Sequence, residues 1–365
     1  MFLVISTIIN LDSIRGVSKK MILVILLFFT FFFIHIISAA LNTYNLKEFI
    51  KVEKFVPFFI FPFVFLVAKD YFTEQSFIHK CQCTYFLAAN LSVVILTLIA
   101  IKNTIVTSNI IYFTYNEFTN PLGIQPIYYG AFYCLALIFG FEILGIYKKY
   151  KRSIIIGMFL LSLAIILVAS RTAWIILTII LIVRLIPILK KNIKIRYISS
   201  VVLLGIVLLV VNNPTLKNRL FYSNSNISSY SGLSFRLKIW QNSMELISKK
   251  PVLGYGPYDT QLELQNKFLK ENFRRAYFLK LNSHNQYLQT ALESGMLGLL
   301  CLILLLLLLL FHARADTNKL LFFILICLSL LTESYFRRFN GILFFCYFYF
   351  FFLFVDDTKR KLNKQ

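Results

Sequence analysis

NSHNQYLQTALESGMLGLLCLILLLLLLLF, residues 282–311, passes in a few positions from a polar cluster into a long apolar run. A helix needs about twenty apolar residues to cross the hydrocarbon of a bilayer, and the stretch from 286 to 311 supplies them. Glu293 interrupts it, followed by Gly295 and Gly298. An ionisable group at that depth faces protein or water rather than lipid. The segment predicts a membrane helix whose outer end opens on a histidine-bearing turn.

Comparable runs recur along the chain. Spans are expected at 21–40, 55–68, 84–101, 127–147, 153–169, 173–189, 197–211, 286–311, 320–331 and 341–355, about ten in all. The runs at 55–68 and 320–331 are short, so polar flanks must snorkel or the bilayer must thin there. Hydrophobic residues make up 58% of the sequence, and mean hydropathy is +0.74; a soluble domain is about half apolar. The expected fold class is all-α, a polytopic transmembrane helix bundle with one long extracytoplasmic loop carrying short amphipathic helices.

Basic residues in short loops stay cytoplasmic, whereas long loops are translocated largely regardless of charge. Lys148, Lys149, Lys151 and Arg152 mark one inner loop, and Lys190, Lys191, Lys194 and Arg196 another. Arg15, Lys19 and Lys20 ahead of the first span, and Lys359, Arg360, Lys361 and Lys364 behind the last, place both termini inside. The organisation is then 1–211, an N-terminal transmembrane bundle; 212–284, the outer loop; and 285–365, C-terminal helices with a cytoplasmic tail. The 102–126 loop, the Ser170-Arg171-Thr172 turn and the 333–340 segment also fall outside. Residues 2–9 are too short to span, and no convincing small-residue cleavage site follows the first long run, which reads as a retained helix. Much of the net charge of +22 is topogenic, and nothing resembles a nucleic-acid module. None of the six cysteines lies in the long outer loop, so no disulfide framework is indicated there. Cys81-Gln82-Cys83 is expected in an inner loop, where it is either incidental or a pair of soft ligands.

In the outer loop, Asn212-Asn213-Pro214 ends a span and residues 223–232 form a Ser/Asn-rich connector. Residues 234–249 recur apolar at mainly helical spacing until Pro251 and Gly254, and a second helical stretch is expected over 260–278. Lysines and arginines far outnumber acids here, which implies acidic partners. Two open readings are adhesion to anionic lipid headgroups and a diphosphate or polyanionic glycan held by arginine forks. The arginines of this loop that could form such forks are Arg219, Arg236, Arg274 and Arg275.

His284 is the only one of the four histidines expected outside. If Asn282 or Ser283 caps the following helix, its positive end keeps the imidazole neutral and able to take a proton from a sugar hydroxyl; a polar interfacial residue is the plainer alternative. Arg171, in a tight turn at the outer ends of two apolar helices, is either a headgroup anchor or a ligand for an anionic substrate entering from lipid. Glu293 either orients His284 or an arginine, or makes a buried hydrogen bond between helices. Arg184 reads as a snorkelling residue, and His35 as an intramembrane structural group.

These residues resemble the bacterial O-antigen ligase and O-antigen polymerase superfamily of membrane glycosyltransferases, with a C-type glycosyltransferase-like fold. The Ser170-Arg171-Thr172-Ala173-Trp174 turn is similar to that family's arginine motif. Residues 236–240 with Lys250-Pro251-Val252-Leu253-Gly254-Tyr255-Gly256-Pro257 are similar to its loop signature, and His284-Asn285-Gln286-Tyr287-Leu288 with 293–298 to its histidine motif. The resemblance implies transfer of glycan from an undecaprenyl diphosphate carrier to a glycan or lipid-core acceptor, on the outer face of the bacterial plasma membrane. It implies inversion, with neither metal nor cofactor; no Asp-x-Asp pair lies in the outer segments. His284 would deprotonate the acceptor, and Arg171 and Arg236 would neutralise the departing diphosphate. Arg274, Arg275 and Glu293 are the further substrate-binding candidates. Fewer spans are expected than is usual in the family, which touches the early helices and not the motif core. Ligase and polymerase are not separated by these residues. A lipid-linked oligosaccharide flippase or exporter, or a non-catalytic assembly protein, are the alternatives; the first requires charge spread along several helices, and the second has no use for the His284 constellation.

Overall fold

Apolar runs with no water at hand must satisfy their backbone internally, and they do so here as helices. The computed structural model describes residues 19–42, 50–191, 233–314 and 316–362, and every regular element among them is α- or 3-10 helix. In chain order the α-helices are α1 (Lys19–Asn42), α2 (Val56–Val67), α3 (Gln75–Thr107), α4 (Tyr115–Thr119), α5 (Pro126–Ile146), α6 (Lys151–Leu167), α7 (Arg171–Lys191), α8 (Leu233–Lys249), α9 (Gly256–Lys270), α10 (Arg274–Phe278), α11 (Gln286–Ala313), α12 (Thr317–Thr332) and α13 (Phe339–Leu362). Each span expected within the described residues falls on one of them; the 197–211 span and the 212–232 part of the loop lie outside the described residues. Among the described residues, five helical stretches are long and apolar enough to cross a membrane: Lys19–Asn42, Gln75–Thr107, Pro126–Ile146, Lys148–Leu167 and Gln286–Ala313. The chain is a multi-pass helical membrane protein.

Two expectations are corrected. Cys81 and Cys83 stand not in a loop but within α3, which runs for 33 residues because its polar start still forms regular helix. The helix expected over 260–278 begins earlier, with Pro257 in its first turn, and divides at Asn272. That residue is left-handed (φ 52°), and the Phe273 amide reaches back to the Phe268 carbonyl at 2.8 Å. This is a helix stop that an Asn tolerates better than most residues.

The chain packs as two units, residues 1–78 with 233–365, and residues 79–232. In the second, α5 packs against α6 and α7. Gly130 permits the approach to α7, since a β-carbon there would come within 2.6 Å of the Ala173 side chain. In the first, α1 packs on α2 and α11, and aromatic rings tie the N-terminal helices to α13. Phe28 lies 4.6 Å from Phe350 and 5.0 Å from Tyr349, ring centre to ring centre, and Phe58 lies 5.9 Å from Phe345. Between membrane helices, where lipid is as apolar as leucine, such van der Waals contact carries association, at about 0.5–1.5 kcal/mol per aromatic pair.

The loop helices fasten to the bundle at one break. At Gly295 (φ 66°, ψ −167°) α11 leaves helical geometry, which frees backbone groups that the bundle interior must satisfy. Residues 251–255 plug that gap: the Tyr255 amide donates to the Leu292 carbonyl and the Met296 amide to the Pro251 carbonyl, each at 2.7 Å. Ser38 of α1 reaches the carbonyls of both Leu253 (2.5 Å) and Glu293 (2.8 Å). A β-carbon on Gly295 would run into the Val252 carbonyl, and one on Gly254 into the Leu292 carbonyl. Around this junction Ile239, Leu246, Tyr255, Leu264, Phe268, Phe273, Ala276 and Leu292 form one buried core. The core joins α8, α9 and α10 to α11, so the loop helices are held to the helix that begins at the histidine.

Candidate active site

Asn285 starts α11. Its side-chain oxygen accepts from the amides of Tyr287 (2.9 Å) and Leu288 (3.2 Å), so the cap is Asn285 rather than Asn282 or Ser283. His284 just ahead of it is left-handed at φ 46°, with its amide on Asn282 Oδ1 at 2.8 Å. A side chain in that conformation costs about 1–3 kcal/mol and persists only where the surroundings over-determine it.

The surroundings are polar and buried. Ser283 is 0% exposed; its hydroxyl lies 2.8 Å from the Asn285 carbonyl, 3.0 Å from Gln289 Oε1 and 3.0 Å from Ser334 Oγ. Trp240 of α8 donates its indole N–H to the Ser283 carbonyl at 3.0 Å. From the other side, the Phe336 amide donates to Gln286 Oε1 at 2.7 Å. Gln261 of α9 accepts from Arg337 and donates to the carbonyls of Lys280 and Leu281. Four separate parts of the chain therefore converge on one turn.

Glu333, directly after α12, meets the histidine. Both of its carboxylate oxygens lie 3.1 Å from His284 Nδ1. Burial raises the Glu333 carboxyl, but the His284 hydrogen bond, the His284 charge, the Ser334 amide and the charge of Arg236 outweigh it, and the net shift is downward. A carboxylate only accepts, so the ring nitrogen facing it carries a proton, and in the neutral form of the ring the lone pair is then on Nε2. This is the orientation a general base requires.

Residues 156–303 match the family model of the O-antigen ligases. The resemblance read from the sequence is thereby shown. A ComP-specific O-oligosaccharyltransferase of Acinetobacter baylyi is 28% identical over 175 residues, covering 46% of this chain and 31% of that protein. An uncharacterized protein of Haemophilus influenzae is 27% identical over 186 residues, covering 47% of this chain and 46% of that one. The matched stretch spans less than half the length of either relative. The stretch matched by that family model contains Arg171, Arg236, His284 and Glu293 and ends before Glu333.

The remaining candidates are distributed as follows. Arg236 lies in the first turn of α8, its charge acting on Glu333. Arg274 and Arg275 are exposed on α10, with Arg275 5.8 Å above the Phe235 ring. Arg171 is exposed at the head of α7, in the other unit. There Ala169 is left-handed at φ 52°, Ser170 Oγ accepts from the Ala173 amide at 3.4 Å, and the Trp174 indole donates to the Ile166 carbonyl at 3.3 Å. Glu293 is 2% exposed and meets Gln289 and Lys54, not His284. Glu333 is the partner that sequence reasoning missed. Its one signal was an acid at the outer end of an apolar run, among few acids in the outer segments. No cluster of three metal-ligating side chains occurs among the described residues.

Proposed function

We propose that the protein is a glycosyltransferase of the outer face of the bacterial plasma membrane, moving glycan from an undecaprenyl diphosphate carrier to a hydroxyl acceptor in surface polysaccharide assembly. The observation that supports it is the His284–Glu333 pair beside Arg236 at the head of a membrane helix. In a single displacement, the acceptor oxygen attacks the anomeric carbon as His284 Nε2 takes its proton, and the carbon–oxygen bond to the diphosphate breaks. The configuration inverts. Glu333 stabilises the imidazolium that forms, as the acid does in a serine-protease triad. The leaving group departs as an anion, and arginine forks at Arg236, with Arg274 and Arg275 nearby in the same unit, suit its phosphate oxygens. Neutralising that charge supplies what a metal or general acid otherwise would. Arg171 is proposed as a phosphate ligand on the resemblance alone.

The acceptor is a glycan or lipid-core hydroxyl. A different O-linked acceptor is a second reading, favoured by the name of the Acinetobacter baylyi relative, a ComP-specific O-oligosaccharyltransferase. Purified protein given undecaprenyl diphosphate-linked glycan in detergent with a chelator should transfer it. Absence of transfer to any hydroxyl acceptor by wild-type protein, with flipping of the same donor in vesicles, would replace the enzyme by an exporter.

A further inference from the structure

Beneath the His284 turn a line of buried polar side chains descends into the bundle. Gln289 is 1% exposed; its carboxamide oxygen lies 3.0 Å from Ser283 Oγ and its nitrogen 2.8 Å from Glu293 Oε1. Glu293 in turn lies 3.5 Å from Lys54 Nζ, contributed by the 3-10 turn ahead of α2. An ion pair whose acid is buried and whose lysine is half-buried is a poor source of stability compared with apolar packing, and its best-attested use is to fix one arrangement among several.

The arrangement fixed here is the direction of an amide. A carboxamide can sit either way round, oxygen for nitrogen. With Lys54 beside it, the Glu293 carboxylate accepts from the Gln289 nitrogen, and the Gln289 oxygen is then turned toward the Ser283 hydroxyl and amide. Reversed, that amide would set a donor against the Ser283 N–H. Ser283 immediately precedes the left-handed histidine, and its hydroxyl also meets Ser334, the neighbour of Glu333.

We propose that Glu293, paired with Lys54, is a positioning residue that acts through Gln289 and Ser283 to hold His284 with Nδ1 on Glu333. Glu293 itself touches no substrate. The inference rests on the reading of His284 as the base, but its first consequence is a ring orientation that is measurable without transfer.

The test uses full-length protein in nanodiscs labelled with 15N-histidine, the His284 signal being assigned by its loss in His284→Gln. Wild type should show the nitrogen shifts of a ring protonated at Nδ1. Glu293→Gln and Gln289→Leu should each convert that signal to a tautomer mixture. Each should also lower kcat about tenfold, within the range that small misplacements cost, with KM for the donor unchanged. Lys54→Met should produce the same change more weakly. Wild-type nitrogen shifts and kcat in Gln289→Leu, the variant that leaves no unpaired charge, would overturn the proposal even if Glu293→Gln fails to fold. Full activity in His284→Gln would remove the base reading instead, and the shifts would still decide the positioning.

Discussion

His284 and Glu333 stand 49 residues apart in sequence and 3.1 Å apart in space, with both carboxylate oxygens on the same ring nitrogen. The contact joins the start of α11 to the end of α12. In the neutral form of the ring it would leave Nε2, the other ring nitrogen, with the lone pair that the proposed base needs.

Glu333→Gln keeps the shape of this contact and removes its charge. Turnover should fall roughly 10- to 100-fold, because a neutral amide does not stabilise the imidazolium and no longer dictates the tautomer. The lowered Glu333 carboxyl also has a pH consequence. A depressed acid contributes stability that is fully present above its unfolded pKa and disappears as pH falls through the folded value, below the usual carboxylate range. Thermal midpoints between about pH 3 and 7 should therefore fall less steeply in Glu333→Gln than in wild type. Parallel profiles would mean that the pair carries no linkage.

Gly295→Ala should be among the most damaging single-methyl changes in the chain. Its backbone conformation is one that only glycine adopts readily, at about 1–3 kcal/mol for another residue, and the added carbon would meet the Val252 carbonyl. Gly123 is the control: its φ is 69°, but nothing lies within 4 Å of a β-carbon there. Gly123→Ala should cost only the backbone strain. Equal losses of thermal midpoint in the two variants would show that the plugged break in α11 contributes nothing.

The helices were legible because lipid imposes a composition that can be read directly, and the α11 run needed no tertiary information. The Gly295 break was not, since a pair of glycines such as Gly295 and Gly298 in a membrane helix equally suits close packing; only the loop at 251–255 reveals why the helix opens. Arg236 and His284 were recognisable as motif residues. Glu333 was not, because its role comes from the antiparallel return of α12, a long-range contact with no local pattern. Cys81 and Cys83 looked like a loop because polarity in a short window does not distinguish the wet end of a helix from a turn.

Phe278 is 74% exposed next to Arg274 and Arg275, and the proposed topology puts it outside. A cysteine placed there in an otherwise cysteine-free protein should react with an impermeant maleimide in intact spheroplasts. Labelling that appears only after permeabilisation would invert the topology, and the proposed site would then face the cytoplasm.

Arg236→Ala should weaken binding of undecaprenyl diphosphate about tenfold or more, the scale of a lost charge-assisted phosphate contact. Arg236→Lys should recover little of it, because an ammonium lacks the planar pair of donors. The same substitutions also remove or shift the charge acting on Glu333, so kcat alone does not separate the two effects. Donor affinity measured with His284→Ala as background does, since the base is then absent and only phosphate binding remains. Unchanged affinity in Arg236→Ala on that background would leave Arg236 as a partner of Glu333, and the phosphate contact would pass to Arg274 and Arg275, whose double alanine variant would then be the one to lose the lipid.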